Sequence, residues 1–182
     1  MSQEIVNRIT GLVQAFDSRV QAAPADAWGN AAPCEGWTAR DVVVHVGNNL
    51  ARLGNGLQGK EATEISADED IVAAWGSARD AFFAGISTGD LSTQLPGPFG
   101  PMPAEQLIGR LVSTDVLVHT WDLARAVGGD ETLDAATVAA AYSGLKPMDA
   151  MIRMPGVFGP KVESPASADV QTEFLNFLGR TV

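Results

Sequence analysis

At 182 residues the chain can bury one sizeable core and is marginal for two. Hydrophobic residues make up 46% and charged residues 19%, which excludes overall disorder. The 22 acids outnumber the 12 bases for a net charge of −10, a balance that opposes nucleic acid and anionic membrane surfaces because both need clustered cations. The single cysteine, Cys34, excludes an intramolecular disulfide and fits a reducing compartment. The N-terminal residues lack the basic, apolar and cleavage regions of a signal peptide. No apolar run approaches the roughly 20 residues needed to span a bilayer, so a cytoplasmic protein is expected.

Along the chain, period 3.6 dominates. Ile5, Ile9, Leu12, Phe16 and Val20 predict a first helix over about 3–22. Pro24 to Pro33 reads as a loop, and Thr38 with Asp41 forms a capping box that starts a second helix. His45 lies in this helix beside Val42 and Asn49, and Gly54, Gly56 and Gly59 are expected to end it in a flexible connection. Asp68, Glu69 and Asp70 place negative charge in the first turn of a third helix, whose buried side is Ile71, Trp75, Ala78, Phe82 and Ile86. Between Gly89 and Pro103 four prolines exclude a helix and suggest a stiff lid. A fourth, very apolar helix is expected over about 104–127, with Ile108, Val112, Asp115, His119, Asp122 and Ala126 in one column and Gly128-Gly129 as its cap. A fifth helix over about 134–150, an irregular stretch from Met154 to Ala168 and a short last helix with Val170, Phe174 and Phe177 inward complete the chain. The expected fold is all-α: one domain over residues 1–182, an up-down-up-down four-helix bundle with additional C-terminal helices. Helices two and four would then run parallel.

The only two histidines, His45 and His119, both sit in apolar helical runs, where a buried polar group must recover its lost hydrogen bonds. Asp115 lies one turn before His119 on the same face, so the pair could grip one ion, with His45 as a third ligand from another helix. Two imidazoles and one carboxylate suit a divalent metal with an open position, zinc first, with iron(II) or nickel(II) as alternatives. The plain alternative is a buried hydrogen-bonded pair of His119 with Asp115 or Asp122, with His45 on a backbone carbonyl. Asp122, three residues after His119, is a rival for the carboxylate ligand or an acceptor behind the histidine. Trp37 and Trp121 could wall a pocket, and Arg110, Arg125 and Arg153 could bind a cofactor's carboxylates. Cys34, just before the second helix, reads first as a small buried hydrophobe and second as a thiol activated by a helix N-terminus.

The segments Cys34-Glu-Gly-Trp-Thr-Ala-Arg-Asp-Val-Val-Val-His45 and Asp115-Val-Leu-Val-His-Thr-Trp-Asp-Leu-Ala-Arg-Ala-Val-Gly128 resemble the two signatures of the metal-binding domain of mycothiol-dependent maleylpyruvate isomerase, a branch of the DinB-like superfamily. The ending Phe158-Gly-Pro to Phe177-Leu-Gly-Arg180 resembles a single-domain subfamily. The resemblance covers most of the chain. It implies a DinB-like bundle, a metal held by His45, Asp115 and His119, and chemistry with a low-molecular-weight, mycothiol-like thiol on a small electrophile, by transfer or isomerisation. Asp115 stands where the isomerase has the longer glutamate, and the isomerase's separate C-terminal domain has no counterpart; both weaken any specific claim to maleylpyruvate isomerisation. Catalytic and cofactor-binding residues beyond the three ligands are not assigned. The alternative function is a non-catalytic metal-binding or protein-interaction module. Apolar residues near the C-terminus could mediate a homodimer.

Overall fold

The helical periodicities materialise where expected. In the computed structural model, which describes residues 3–97, 100–153 and 158–182, α1 spans Gln3–Ala22, α2 Ala39–Leu57 and α3 Ile71–Thr88. The hairpin β1 (Gln94–Leu95) and β2 (Met102–Pro103) follows. A single helical run then comprises α4 (Ala104–Gln106), a π-helical stretch Leu107–Val112 and α5 (Ser113–Val127). The C-terminal additions are α6 (Ala135–Leu145), a 3₁₀ turn Lys146–Met148, α7 (Asp149–Ile152) and α8 (Val170–Phe177). The all-α reading holds, and no described helix is long and apolar enough to cross a membrane.

The capping box is present: Asp41 accepts from the Thr38 amide at 2.8 Å while Thr38 Oγ1 accepts from the Asp41 amide at 3.3 Å. This fixes the start of α2 and places His45 two turns inside it. Gly128 caps α5 in the left-handed conformation, φ 69°. The core joins Phe16, Trp75, Leu50, Leu117 and Leu123, all essentially inaccessible to solvent.

The direction of the helices differs from the expected alternation. Arg8 and Arg19 on α1 meet Gly109 and Asp130 at opposite ends of the α4–α5 run, so α1 and α5 are parallel. Along α2, Gly47 faces Trp75 and Ala78, Gly54 faces Ala81 and Phe82, and Leu57 abuts Gly89, so α2 and α3 are also parallel. The bundle is therefore up-down-down-up, and α2 and α5 are antiparallel. The 58–70 connection explains this. It runs back along α2, with Arg52 on Glu64, Asn48 Oδ1 accepting from the Ile65 amide at 2.9 Å, and Arg40 donating to the Ser66 and Glu69 carbonyls. Extended chain of that length reaches roughly 40 Å, more than the roughly 28 Å of a 19-residue helix.

Gly54 and Gly56 do not end α2, which continues to Leu57. Gly54 instead permits the close crossing with α3: a Cβ there would lie 2.3 Å from the Ala81 carbonyl oxygen, and one on Gly85 would lie 2.3 Å from that of Gly54. Gly54→Ala is therefore expected to destabilise by about 1–3 kcal/mol through overpacking. Gly11→Ala, at an exposed helical position with open space, should stabilise by about 1 kcal/mol. Urea denaturation of the two variants checks the contrast, and equal effects would remove the close-packing argument.

The helix over 104–127 is one run but not uniformly α. Ser113 donates both its amide and its hydroxyl to the Ile108 carbonyl, five residues back, while Arg8 takes the Gly109 carbonyl at 2.9 Å. Gly109 is the acceptor an α-helical Ser113 would have used, so the cross-helix arginine and the π turn belong together. The extra residue in that turn sets the rotation at which Asp115 and His119 leave α5. Pro147 sits where the fifth predicted helix gives way to a 3₁₀ turn. In the segment expected to form a lid, Leu95 of the hairpin packs on Gly56, about 16 Å along α2 from His45, so the strand pair sits at the end of the bundle. Pro98 of that segment, and Met154 of the irregular stretch, lie outside the described residues.

Candidate metal centre

Antiparallel α2 and α5 bring the three expected ligands together at one level. His45 Nε2 lies 3.1 Å from Asp115 Oδ1, and His119 Nε2 lies 3.4 Å from the same oxygen. One donor atom from each of the three lies within 4.8 Å of the other two. These separations match the edges of a coordination shell, since bonds of about 2.0–2.2 Å place neighbouring ligand atoms roughly 3.0–3.5 Å apart.

Two polar groups crowd His45 Nε2. Asn49 Nδ2 and Asp115 Oδ1 both stand 3.1 Å from this one nitrogen. The amide orientation is set by Arg52, which donates to Asn49 Oδ1 from outside, and by Asp115 Oδ2, which accepts from Asn49 Nδ2 within the site, each at 3.4 Å. Protonated, the nitrogen donates to Asp115; unprotonated, it offers its one lone pair to Asn49 or to a cation. A cation placed among His45 Nε2, His119 Nε2 and Asp115 Oδ1 accepts lone pairs from all three, so the donor set fits a divalent metal.

Asp122 has a different part. It is fully buried and accepts from His119 Nδ1 at 2.8 Å, which turns Nε2 toward Asp115. Arg180 forks onto both Asp122 oxygens, at 3.1 and 2.8 Å, and also donates to Cys34 Sγ at 3.3 Å. Cys34 in turn contacts Asp122 Oδ2 at 3.4 Å. Cys34, His119 and Asp122 form a second group close enough to share an ion, but there the guanidinium already occupies the carboxylate. The His119–Asp122 pair expected of a non-catalytic module is therefore present, yet it uses Nδ1 and leaves Nε2 directed at the triad.

Electrostatics follow the geometry. Burial favours a neutral Asp115, but His119 and His45 outweigh it and hold the carboxyl far below its usual range. Burial likewise opposes charge on His119, yet Asp115, Asp122 and Cys34 together raise it well above an ordinary imidazole. Asp122 is lowered against its own burial by His119 and Arg180. Two carboxylates, the His119 imidazole and the Arg180 guanidinium are thus gathered at one place, Asp122 fully buried and Asp115 partly open to solvent.

Trp37 walls the site as expected, stacked on His119 with ring centroids 5.7 Å apart and 5.0 Å from the His45 ring. Trp121 is instead fully buried core, with Arg125 over its ring. Arg125 pairs with Glu131 and Arg153 with Asp149, away from the triad, and Arg110 is exposed. Sequence reasoning gave no role to Asn49 or Arg180. Asn49 had a usable signal, being one turn after His45 on the same face; Arg180 had none.

A helical bundle with two imidazoles and a carboxylate converging between antiparallel helices defines a class of bundle proteins built around a candidate metal centre. The chain belongs to the mycothiol maleylpyruvate isomerase N-terminal domain family, whose model matches residues 10–124. Two uncharacterised proteins of Mycobacterium tuberculosis, Rv0738 of strain H37Rv and MT0763 of strain CDC 1551 / Oshkosh, are each 31% identical over 173 residues, covering 92% of this chain and 93% of their own. The crystal structure of a mycothiol-dependent maleylpyruvate isomerase superposes with a TM-score of 0.53 at 16% identity, over 81% of this chain and 72% of that one. A histidine-to-alanine variant of such an isomerase gives 0.54 at 14% identity, over 82% and 72%. These two likenesses establish the shared fold.

Proposed function

We propose that residues 1–182 act as one helical domain, a metal-dependent enzyme that uses a low-molecular-weight thiol of the mycothiol kind to transfer to, or isomerise, a small electrophile. The observation that carries this reading is the convergence of His45 Nε2, Asp115 Oδ1 and His119 Nε2 on one point, with His119 Nδ1 committed to Asp122. Family membership supports the thiol. His45, Asp115 and His119 hold the metal, zinc being the best match to the donors. When bound, such a metal supplies Lewis acidity that lowers the pKa of a coordinated thiol or water. Asn49 points an amide N–H into the same space, where it can hold an anionic sulfur or oxygen. Trp37 covers one side and limits access of water. Three protein ligands would leave a bound metal open to a thiol or substrate.

Untagged protein purified from cells is expected to carry close to one equivalent of zinc or iron, and His45→Ala to carry almost none. Equal, negligible metal in both would sink the reading. Thiol consumption with a panel of unsaturated and other electrophilic substrates, present in the wild type and absent in His45→Ala, tests the reaction class.

A further inference from the structure

Arg180 lies outside the triad but is tied to it through one fully buried carboxylate. After α8, Gly179 adopts φ 86°, and a Cβ at that position would stand 2.8 Å from the Pro160 carbonyl oxygen. This left-handed turn, closed by the Arg180 amide on the Leu175 carbonyl at 2.9 Å, sends the next side chain back into the bundle. The guanidinium, 11% exposed, meets Asp122 with Nε on Oδ1 and Nη2 on Oδ2. Such a fork fixes the carboxylate plane as well as its charge. The plane decides where Oδ2 presents its remaining lone pair, and that lone pair receives the His119 Nδ1 proton at 2.8 Å. With Nδ1 anchored, the ring cannot turn over, and Nε2 stays aimed at Asp115 and His45.

We propose that Arg180 is a positioning residue for the metal centre, its planar fork holding Asp122 so that His119 presents Nε2 to His45 and Asp115. This rests on the metal reading of the triad. A residue that only neutralised Asp122 would be replaceable by any cation of similar reach, whereas a lysine ammonium is a point charge without a plane. The distinction makes Arg180→Lys the informative variant, with Arg180→Ala beside it.

Zinc affinity is to be measured by chelator competition for wild type, Arg180→Lys, Arg180→Ala and His45→Ala. In parallel, proton NMR of the metal-free proteins follows the hydrogen-bonded His119 Nδ1–H. Arg180→Lys is expected to weaken zinc binding about 10–100-fold, the range found for groups that orient metal ligands, with its unfolding midpoint close to wild type. The Nδ1–H resonance, slowly exchanging in wild type, should be lost or shifted in both Arg180 variants. Wild-type affinity and an unchanged resonance in Arg180→Lys would overturn the inference and leave the metal site standing. Equal, negligible affinity in wild type and His45→Ala would remove the metal reading and this inference with it.

Discussion

Asp122→Ala is expected to destabilise the fold by about 3–5 kcal/mol, the cost of breaking a buried ion pair from one side. Asp122 is inaccessible and Arg180 nearly so. Burial by itself would push the Asp122 carboxyl up, but His119 and Arg180 hold it below the usual carboxylate range, so the native cluster is charged. Removing the carboxylate leaves a guanidinium and an imidazole N–H in the core without their acceptor. The urea midpoint should fall with an unchanged denaturant slope, because the extent of unfolding is the same. Removing both partners in Asp122→Ala/Arg180→Ala should recover part of the loss, since the stranded cation is then gone. A loss under 1 kcal/mol in the single variant, or no recovery in the double, would mean that the cluster is hydrated and loosely held.

The same cluster marks the boundary of what the sequence disclosed. Thr38 with Asp41 and Gly128 after α5 are local devices whose partners lie within four residues, and each does what its spacing predicts; Asp70, expected in the first turn of α3, stands just before it as the N-cap, accepting from the Val72 and Ala73 amides. The pair Asp115 and His119 was legible for the same reason, one helical turn being enough to put both on one face. That His45 joins them needed only the second and fourth predicted helices to pack together, whichever way they ran. Helix direction was a different matter. It depends on residues 58–70, whose length permits a return along α2 but whose composition does not require one. The π turn at 107–112 depends on Arg8 taking a carbonyl about a hundred positions away. Arg180 reaches Asp122 across 58 positions by way of a single glycine turn. Contacts of this kind leave no period in the sequence, so the triad and Asp122, one turn beyond His119, were readable, and the Arg180 and Arg8 contacts behind them were not.

Saturating zinc is expected to raise the stability of the wild-type protein strongly. At a free concentration about 1,000-fold above its dissociation constant, a ligand that binds only the native state adds about 4 kcal/mol. For a chain of this size that corresponds to roughly 8–16 °C in Tm. The increment should be reversed by a chelator, absent in His45→Ala and Asp115→Ala, and largely kept in Asp115→Glu, which restores a carboxylate at the end of a longer arm. It should also shrink as pH falls, because ligands bind metal only when deprotonated. The sign is opposite in the metal-free protein. There the neighbouring carboxylates raise His119 above the usual imidazole range, so its ion pairs stabilise the fold fully below about pH 6.5 and fade as pH rises through the elevated folded value. Depressed Asp115 contributes above about pH 3.9 and loses that contribution in stronger acid. Metal therefore takes over from protons as pH rises: where His119 ceases to stabilise the empty site as a cation, its free Nε2 becomes a better ligand. Thermal melts with zinc and with chelator, repeated from pH 5 to pH 9, should diverge with increasing pH, and parallel curves would mean that zinc does not bind at His119.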